Sequence, residues 1–503
     1  MRYDLKDNFL PFATPESQGV SSAALTEFLR DMQADFSHMH GIVVMRHGKI
    51  IAETYTEPYG PKDKHRFYST SKSFTSLAVG CLIAEGKLSF SDKVASFFPD
   101  KWPENIDPLV EAMTVRDLLL MASPFNSGSD AEWYDKDWTS IYLARKADKV
   151  PGTAWAYDSD GTTILCAVIE KLTGQTFIRY LYDKVLSKIG FTEDVWCVRN
   201  PEGVAWGASG VMATARDMAR TAQLVMQGGC WNGEQLLPAD YVKEASSPLI
   251  EVPMNSGEDP DNVRLAHGYG YQIWNVMAGG FGFWGMGDQY GLCFPKEDMV
   301  LATIGDNQIS GDSKGFRMIR NFVSLVLETC SDEPLAENPA ALAELRLTEE
   351  KFCLPVPAGK ASSPWISRAG GVRYEMKTDN RMQLRALRLD FAEDEGVLTM
   401  ETDRGERVIR FGLGRYQEGE FPEPGYFGEQ IGVDAGRLYR CFAAGVFETP
   451  NTLLIRCDCT DIALGSGEYR FTFDGDRINV YMRSQAEWFL AEYKGQTWGT
   501  AVK

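Results

Sequence analysis

The hydrophobic pattern of this chain changes its period along the sequence. Two strand-like runs, Gly41–Arg46 and Ile50–Tyr55, are joined by a His-Gly-Lys turn and predict a hairpin. From about residue 88 to residue 260 apolar positions recur mostly at helical spacing. This order predicts an α+β domain, with an antiparallel sheet flanked by helices and a helical region inserted between early and late strands. The late strand patterns cover Tyr269–Val276, Gly282–Met286, Gly291–Phe294 and Met299–Ile304.

The character of the chain changes again beyond residue 330. The stretch Ser331–Ala343 is rich in Pro, Glu and Ala, which is typical of a linker, here with one helical turn. We therefore divide the chain into a domain at 1–330, a linker at 331–363 and an all-β domain at 364–503. Short β-type segments at regular spacing predict that the last domain is a small antiparallel barrel or sandwich. These segments are Arg373–Met376, Leu384–Phe391, Gly396–Glu401, Arg407–Gly412, Leu453–Cys457, Tyr469–Phe473, Arg477–Met482 and Trp488–Tyr493.

A pair of reactive side chains lies at the predicted start of a buried helix that ends at Gly86. Ser69 and Lys72 are three residues apart, so a helix places both on one face. A serine hydroxyl becomes a nucleophile when a neighbouring base takes its proton, and an uncharged lysine can be that base. Free N–H groups at the helix start could also hold an oxyanion. The spacing alone is a weak signal, because a chain of this size contains about one such pair by chance.

Two further segments offer the groups that a Ser–Lys pair needs. Tyr157 precedes a predicted helix over Asp160–Leu172, and its phenol could share a proton with Lys72, so that either residue could be the general base. The segment Gly282–Gln289 predicts a Gly-rich strand whose N–H groups a substrate carbonyl can approach.

Composition narrows the classes of function. A net charge of −19 argues against nucleic acid and against an anionic membrane surface as partners. The N-terminal residues lack a secretory pattern, and no apolar run has the length of a membrane span, so we expect a cytoplasmic protein whose scattered cysteines are reduced. The histidines form no metal-ligand pattern, and we expect neither a metal nor another cofactor.

A rival nucleophile is Ser313, within a Gly-x-Ser-x-Gly segment at Gly311–Gly315. The α/β-hydrolase elbow that this pattern resembles needs a histidine after the serine. All five histidines lie upstream, so we interpret the segment as a loop before the last helix of the first domain.

The segments Ser69-Thr70-Ser71-Lys72 and Tyr157-Asp158-Ser159 and the strand at Trp284 stand in the order and spacing of the class C β-lactamase-like serine hydrolases. That superfamily includes β-lactamases, penicillin-binding D,D-peptidases, carboxylesterases and nylon-oligomer hydrolases. The resemblance covers about 14–329 and implies an acyl-enzyme on Ser69, with Lys72 and Tyr157 as the acid–base pair. It also implies an oxyanion hole made by the N–H of Ser69 and that of Gly287 or a neighbouring residue. Supporting segments are Thr114-Val115-Arg116-Asp117-Leu118-Leu119, Pro151-Gly152-Thr153, Gly207-Ala208-Ser209-Gly210 and His267-Gly268-Tyr269-Gly270-Tyr271.

Departures from the family pattern narrow the expected substrate. The third motif, Trp284-Gly285-Met286, lacks the cation that would bind a substrate carboxylate, and the second motif ends in Ser159 instead of Asn. We therefore expect hydrolysis of a small neutral ester or amide. A β-lactamase, a D-aminopeptidase or D,D-peptidase, and an inactive ligand-recognition protein are the alternatives. The residues expected to line the substrate site are Trp284, Gly285, Met286 and Ser159, with Trp155 and Tyr290 beside them.

The predicted all-β domain resembles the lipocalin-like barrels appended to some members of this superfamily. Its segments carry no motif that we can assign to chemistry. We therefore interpret this domain as a structural lid or a substrate gate. The sequence indicates no oligomeric state.

Overall fold

The computed structural model describes residues 7–35, 38–126, 135–253, 266–308, 312–377, 379–421, 428–431, 438–486 and 490–502. They form two compact units. The first consists of Met1–Leu354 together with Glu429–Val433, and the second of Pro355–Gly428 and Asp434–Lys503. The first unit is therefore discontinuous along the chain.

Helices of the first unit surround a sheet and also form the region inserted into it. In chain order they are α1 (Ser22–Asp35), α2 (Ser71–Ala84), α3 (Pro108–Ala112), α4 (Val115–Leu119), α5 (Trp138–Ala144), α6 (Ser159–Thr173), α7 (Phe177–Lys184), α8 (Ala215–Met226), α9 (Ala239–Ala245), α10 (Asp312–Phe322), which continues as a π-helical turn (Val323–Leu327), and α11 (Pro339–Lys351). Its strands are β1 (Met39–Arg46), β2 (Lys49–Tyr55), β3 (His65–Arg66), β4 (Trp196–Cys197), β5 (Val211–Ala213), β6 (Cys230–Trp231), β7 (Glu234–Gln235), β8 (Ala266–Tyr269), β9 (Trp274–Val276), β10 (Phe281–Gly285), β11 (Gln289–Phe294) and β12 (Met299–Gly305).

The main sheet of the described residues joins strands from both ends of the first unit. Its order is β2-β1-β12-β11-β10-β9-β8, and its neighbours are antiparallel. The early strand β1 pairs with the late strand β12, with Val43 opposite Ala302. The helical region enters between β2 and β8, which confirms the predicted α+β arrangement.

The two faces of the sheet are covered by different helices, because successive residues of a strand point to opposite sides. Val43 lies in a core shared with α2, α6 and α8. Its neighbour Val44 lies in a second core shared with α1 and α10. Helix α2 is buried along most of its length and so belongs to the interior of the unit. Capping boxes at Thr114 and Thr214 begin α4 and α8.

The local structure differs from the sequence prediction at several places. The single strand predicted over Tyr269–Val276 is a hairpin of β8 and β9, because Gln272 takes a left-handed conformation between them. The predicted linker contains α11 in place of one helical turn, and α11 contributes Leu345 to the core beneath α1. Of the predicted loop around Ser313, position 311 lies outside the described residues and α10 begins at Asp312.

The second unit contains a helix, α12 (Trp365–Ala369), and a barrel, so the all-β prediction is confirmed. Nine strands of its described residues close into a ring in the order β16-β15-β14-β13-β22-β21-β20-β19-β18, and β16 returns to β18 by a short parallel pairing at Gly412 and Ala444. The strands are β13 (Arg373–Met376), β14 (Leu384–Phe391), β15 (Glu395–Thr402), β16 (Gly405–Leu413), β17 (Gln417–Phe421), β18 (Tyr439–Thr449), β19 (Thr452–Thr460), β20 (Leu464–Asp474), β21 (Arg477–Ala486) and β22 (Gly495–Ala501).

The last strand predicted in this unit is wrong. Residues 490–493 form a turn, while 487–489 lie outside the described residues, and the strand is β22 instead. Strand β22 contains two glycines, and β18 contains Ala443, Ala444 and Gly445, residues that are depleted in strands. Pairing with neighbouring strands therefore contributes more to the strand conformation of these segments than their local β-propensity does.

The separate segment of the first unit forms a short β-bridge with Arg199. The Arg199 N–H donates to the carbonyl oxygen of Glu429 at 2.7 Å, and the Ile431 N–H donates back to the carbonyl of Arg199 at 3.0 Å. Ile431 is buried. None of the helices formed by the described residues combines the length and the apolar character needed to cross a bilayer.

Candidate active site

The turn before α2 presents Ser69. Residues Tyr68–Thr70 form a 3₁₀ turn, and Tyr68 has a φ of 46°, a left-handed conformation that costs a non-glycine residue about 1–3 kcal/mol. The ring of Tyr68 lies 4.4 Å from the guanidinium carbon of Arg66, and the N–H of Phe67 donates to Val211 O at 2.9 Å. These contacts hold the turn, and Ser69 remains half-buried at the helix start.

Lys72 lies directly beside the serine. Its Nζ donates to Ser69 Oγ at 3.0 Å and to the carbonyl oxygen of Ala208 at 2.7 Å, and the residue is only 2% exposed. The same Nζ lies 4.8 Å from the ring centroid of Tyr157. The structure therefore brings together the three predicted catalytic residues. The 3.0 Å separation is within the range that proton transfer requires.

Ala208 was not predicted as a site residue, although its segment supported the family resemblance. The segment reaches Lys72 because Gly207 passes tightly between two helices. A Cβ on Gly207 would lie 2.3 Å from Thr75 Oγ1 and 2.4 Å from Cys166 Sγ. On the other side of Ala208, Ser209 accepts hydrogen bonds from Arg66 at its carbonyl oxygen (3.0 Å) and its hydroxyl (2.9 Å).

Tyr157 is held by the residues on either side of it. The N–H of Ala156 donates to Met121 O at 2.8 Å. Asp158 caps α6 by accepting from the Gly161 N–H at 2.9 Å. The other carboxylate oxygen of Asp158 accepts from the buried Tyr142 hydroxyl at 2.6 Å. Both flanking residues are therefore anchored, which fixes the backbone at Tyr157.

The predicted substrate residue Ser159 is the first residue of α6, two positions after Tyr157. It is half-buried, and its carbonyl oxygen accepts from Thr163 Oγ1 at 3.4 Å.

A second tyrosine, Tyr269, lies next to Tyr157 and has a different character. Burial raises the pKa of Tyr269 well above its ordinary value, and the neighbouring Tyr157 raises that pKa further. Tyr269 therefore stays protonated across the physiological pH range. Of the two phenols, only Tyr157 contacts Lys72 Nζ among the described contacts.

Strand β10 packs directly against the turn that carries Ser69. A Cβ on Gly285 would lie 2.4 Å from Phe67 O and 2.9 Å from Thr70 Oγ1, so only glycine allows this approach. Gly287 lies farther along, in the turn between β10 and β11, with φ 81°. A Cβ there would lie 3.1 Å from Gly305 O. Of the two predicted glycines, Gly285 is therefore the one that packs against the turn that carries Ser69.

Aromatic side chains line one side of the site. Trp274, which the sequence analysis missed, has its ring centroid 6.2 Å from that of Tyr157, 5.8 Å from that of Trp155 and 4.9 Å from that of Trp284. All four side chains are half-buried, and we call them the aromatic wall. Met286 is also half-buried, whereas Tyr290 is 1% exposed and lies in the second core.

A pair of buried histidines lies behind the site, next to Arg66. His65 Nδ1 is 2.9 Å from the Arg66 carbonyl oxygen and must carry a proton there, so its Nε2 accepts from His40 Nδ1 at 2.9 Å. The ring of Tyr59 stacks on His40. Burial lowers the pKa of His65 from 6.5 to about 4, so the folded protein keeps this ring neutral.

This pair predicts a loss of stability in acid. Between pH 6.5 and pH 4 the unfolded chain binds a proton at His65 that the folded chain does not bind, so the free energy of unfolding falls as the pH falls. The loss is about 3 kcal/mol over this window. Urea unfolding at pH 7 and pH 4 measures it. His65→Gln should have a flatter pH profile than wild type. Equal slopes for the two proteins would contradict the assignment.

Comparison with known proteins shows which family this chain resembles in sequence. The sequence profile of the beta-lactamase family matches residues 29–307. A 6-aminohexanoate-dimer hydrolase from Paenarthrobacter ureafaciens is 24% identical over 255 residues, which cover 46% of this chain and 63% of the relative. The chain thus spans less than two thirds of that relative's length.

Two solved structures are similar in part. A penicillin-binding protein homologue from Caulobacter crescentus is 18% identical, with a TM-score of 0.49, over 60% of this chain and 97% of its own. An octameric penicillin-binding protein homologue from Pyrococcus abyssi is 16% identical, with a TM-score of 0.45, over 94% of this chain and 99% of its own. Because the profile of the family extends over more than half of the chain, this protein belongs to the beta-lactamase family.

Proposed function

We propose that this protein is a serine hydrolase that cleaves a small neutral ester or amide through an acyl-enzyme on Ser69. The observation that carries the proposal is the 3.0 Å hydrogen bond between Lys72 Nζ and Ser69 Oγ, with the Tyr157 ring against the same nitrogen. A buried amine beside a half-exposed hydroxyl is the arrangement that activates a serine. The name of the Paenarthrobacter relative, a hydrolase, supports the same class of chemistry.

The reaction proceeds in two halves. Ser69 Oγ forms a bond to the substrate carbonyl carbon while its proton passes to the Lys72–Tyr157 pair. The bond to the leaving group then breaks, and the pair returns that proton to the departing alcohol or amine. In the second half a water molecule gives a proton to the pair and attacks the acyl carbon, and Ser69 leaves with a proton restored to it.

The oxyanion needs two N–H donors. Ser69 at the start of α2 supplies the first. The second comes from the end of β10 or the turn after it, where Gly285 lies against the Ser69 turn and Gly287 lies in the turn. Residues 281–294 contain no Lys or Arg, which favours a substrate without a carboxylate at this edge.

A fluorophosphonate probe tests the proposal directly. Intact mass after labelling should show one adduct on folded wild-type protein, and peptide mapping should place it on Ser69. Ser69→Ala should remain unlabelled. Ser313→Ala, which removes the rival elbow serine, should be labelled as fast as wild type. No adduct on folded wild type would favour a ligand-recognition protein, and an adduct on Ser313 would favour the rival nucleophile.

We expect the aromatic wall to select the acyl group. Trp274→Ala should raise KM for p-nitrophenyl butyrate about tenfold, because the loss of apolar contacts to a substrate costs about 1–3 kcal/mol. For p-nitrophenyl acetate, whose acyl group is shorter and contacts less of the aromatic wall, KM should change less than about threefold. Trp498→Ala removes a half-exposed indole of the second unit and should leave both KM values unchanged. An equal rise for both esters would show that Trp274 does not discriminate between acyl groups.

A further inference from the structure

Gln272 has an unusual conformation for a buried polar residue. It lies in the turn between β8 and β9 with φ 58°, and it is 1% exposed. A left-handed glutamine persists only where its surroundings fix it, and such residues concentrate at functional sites. The sequence predicts a continuous strand here, so the turn is imposed by tertiary contacts.

The hydrogen bonds of Gln272 supply that constraint. Its Nε2 donates to Leu118 O at 2.8 Å and to Leu119 O at 3.0 Å. Its Oε1 accepts from Thr162 Oγ1 at 2.9 Å. Its carbonyl oxygen accepts from Ser73 Oγ at 2.6 Å. The amide orientation is unambiguous, because only the NH₂ group can face two carbonyl oxygens.

Each partner lies on an element that carries part of the site. Ser73 is the neighbour of Lys72 on α2, and Thr162 is in the first turn of α6, directly after Tyr157. Leu118 and Leu119 end α4, which leads to the Met121 carbonyl that holds the Tyr157 segment. One buried residue therefore links the two helices: its backbone carbonyl bonds Ser73 on the helix that carries Lys72, and its side-chain amide bonds Thr162 on the helix that begins beside Tyr157.

We propose that Gln272 is a positioning residue that sets the distance between Lys72 Nζ and the Tyr157 ring. It acts through Ser73 on one helix and through Thr162 on the other. The inference rests on the proposed function, since it concerns how the acid–base pair is held. Small displacements of such a pair are costly, because a shift of about 1 Å can lower a rate by about 10²-fold.

Two substitutions that each remove one hydroxyl group test the linkage without removing Gln272. Ser73→Ala cuts the link to α2, and Thr162→Val cuts the link to α6. The control is Thr221→Val, which removes an equally buried hydroxyl that bonds Asp217 O within α8. The substrate is p-nitrophenyl acetate, and the readouts are kcat, KM, the pH profile of kcat and the melting temperature.

We expect each link variant to lower kcat about tenfold with KM changed less than about twofold, and to displace the pH profile of kcat. Thr221→Val should change only the melting temperature. The double variant should lose less than the product of the two single losses, because either cut already frees the pair. Wild-type kcat and pH profile in both link variants would overturn the proposal.

The experiment separates this inference from the function it rests on. A folded wild-type protein that neither turns over the ester nor takes the fluorophosphonate label removes both proposals. A wild type that is labelled and active, with link variants that behave like Thr221→Val, removes only the role of Gln272. Gln272→Leu is a less suitable variant, because it leaves the carbonyl oxygens of α4 without their donor and could prevent folding.

Discussion

Ser69→Ala should lower kcat/KM for p-nitrophenyl acetate and butyrate by a factor of at least about 10³, to near the background rate. The nucleophile is the residue whose loss costs an enzyme of this kind most, since only binding and the oxyanion donors then remain. The fold should be unchanged, because Ser69 is half-exposed and Lys72 keeps its hydrogen bond to the Ala208 carbonyl. Melting temperature and circular dichroism check that the variant is folded.

Activity of the folded Ser69→Ala variant above about one tenth of the wild-type value would exclude Ser69 as the nucleophile. Ser313→Ala is the matched serine variant and should retain wild-type kcat/KM. If both variants were fully active, the ester would be cleaved by another group.

Lys72→Met should be nearly as damaging, with kcat lowered by about 10³-fold, because a serine without its base is a poor nucleophile. Methionine keeps much of the volume of the buried side chain while removing the amine. The double variant Ser69→Ala/Lys72→Met should be no slower than Ser69→Ala, since residues that act as one unit do not contribute additively. Steady-state kinetics on one ester for all three proteins give this comparison.

The control for the lysine is Lys149→Met. Lys149 also donates from its Nζ to a backbone carbonyl oxygen, that of Phe125, and burial lowers the pKa of Lys149. Lys149 takes no part in the proposed chemistry. Its loss should change stability more than turnover. A Lys72→Met variant with the kcat of Lys149→Met would assign the base to Tyr157 alone.

The sequence was sufficient for the parts of the site that depend on local spacing. Ser69 and Lys72 face each other because a helix places residues three apart on one side. The helix predicted to begin at Asp160 is α6, which begins one residue earlier, at Ser159, with Asp158 as its cap. Tyr157 could be named because its segment stands in a known order with the other two motifs.

Long-range contacts determine the parts of the site that the sequence did not predict. The carbonyl oxygen of Ala208 reaches Lys72 because Gly207 packs tightly between α2 and α6. No local sequence pattern predicts such close packing. Gln272 lies in a segment whose apolar and polar residues alternate as in a strand. Its hydrogen-bond partners on other elements hold it in the left-handed conformation. Trp274 was missed for the same reason, because its position beside Tyr157 depends on the turn at Gln272.

The bridge between Arg199 and the segment at Glu429–Ile431 has a consequence for synthesis of the protein on the ribosome. The nascent chain reaches Leu354 well before it reaches the segment that completes the first unit. At a usual elongation rate of about 5–20 residues per second, the delay is on the order of ten seconds. Throughout this time the backbone groups of Arg199 lack the bonds to Glu429 and Ile431 that they form in the complete protein. Completion of the first unit is thereby tied to translation of the barrel strands that precede Glu429.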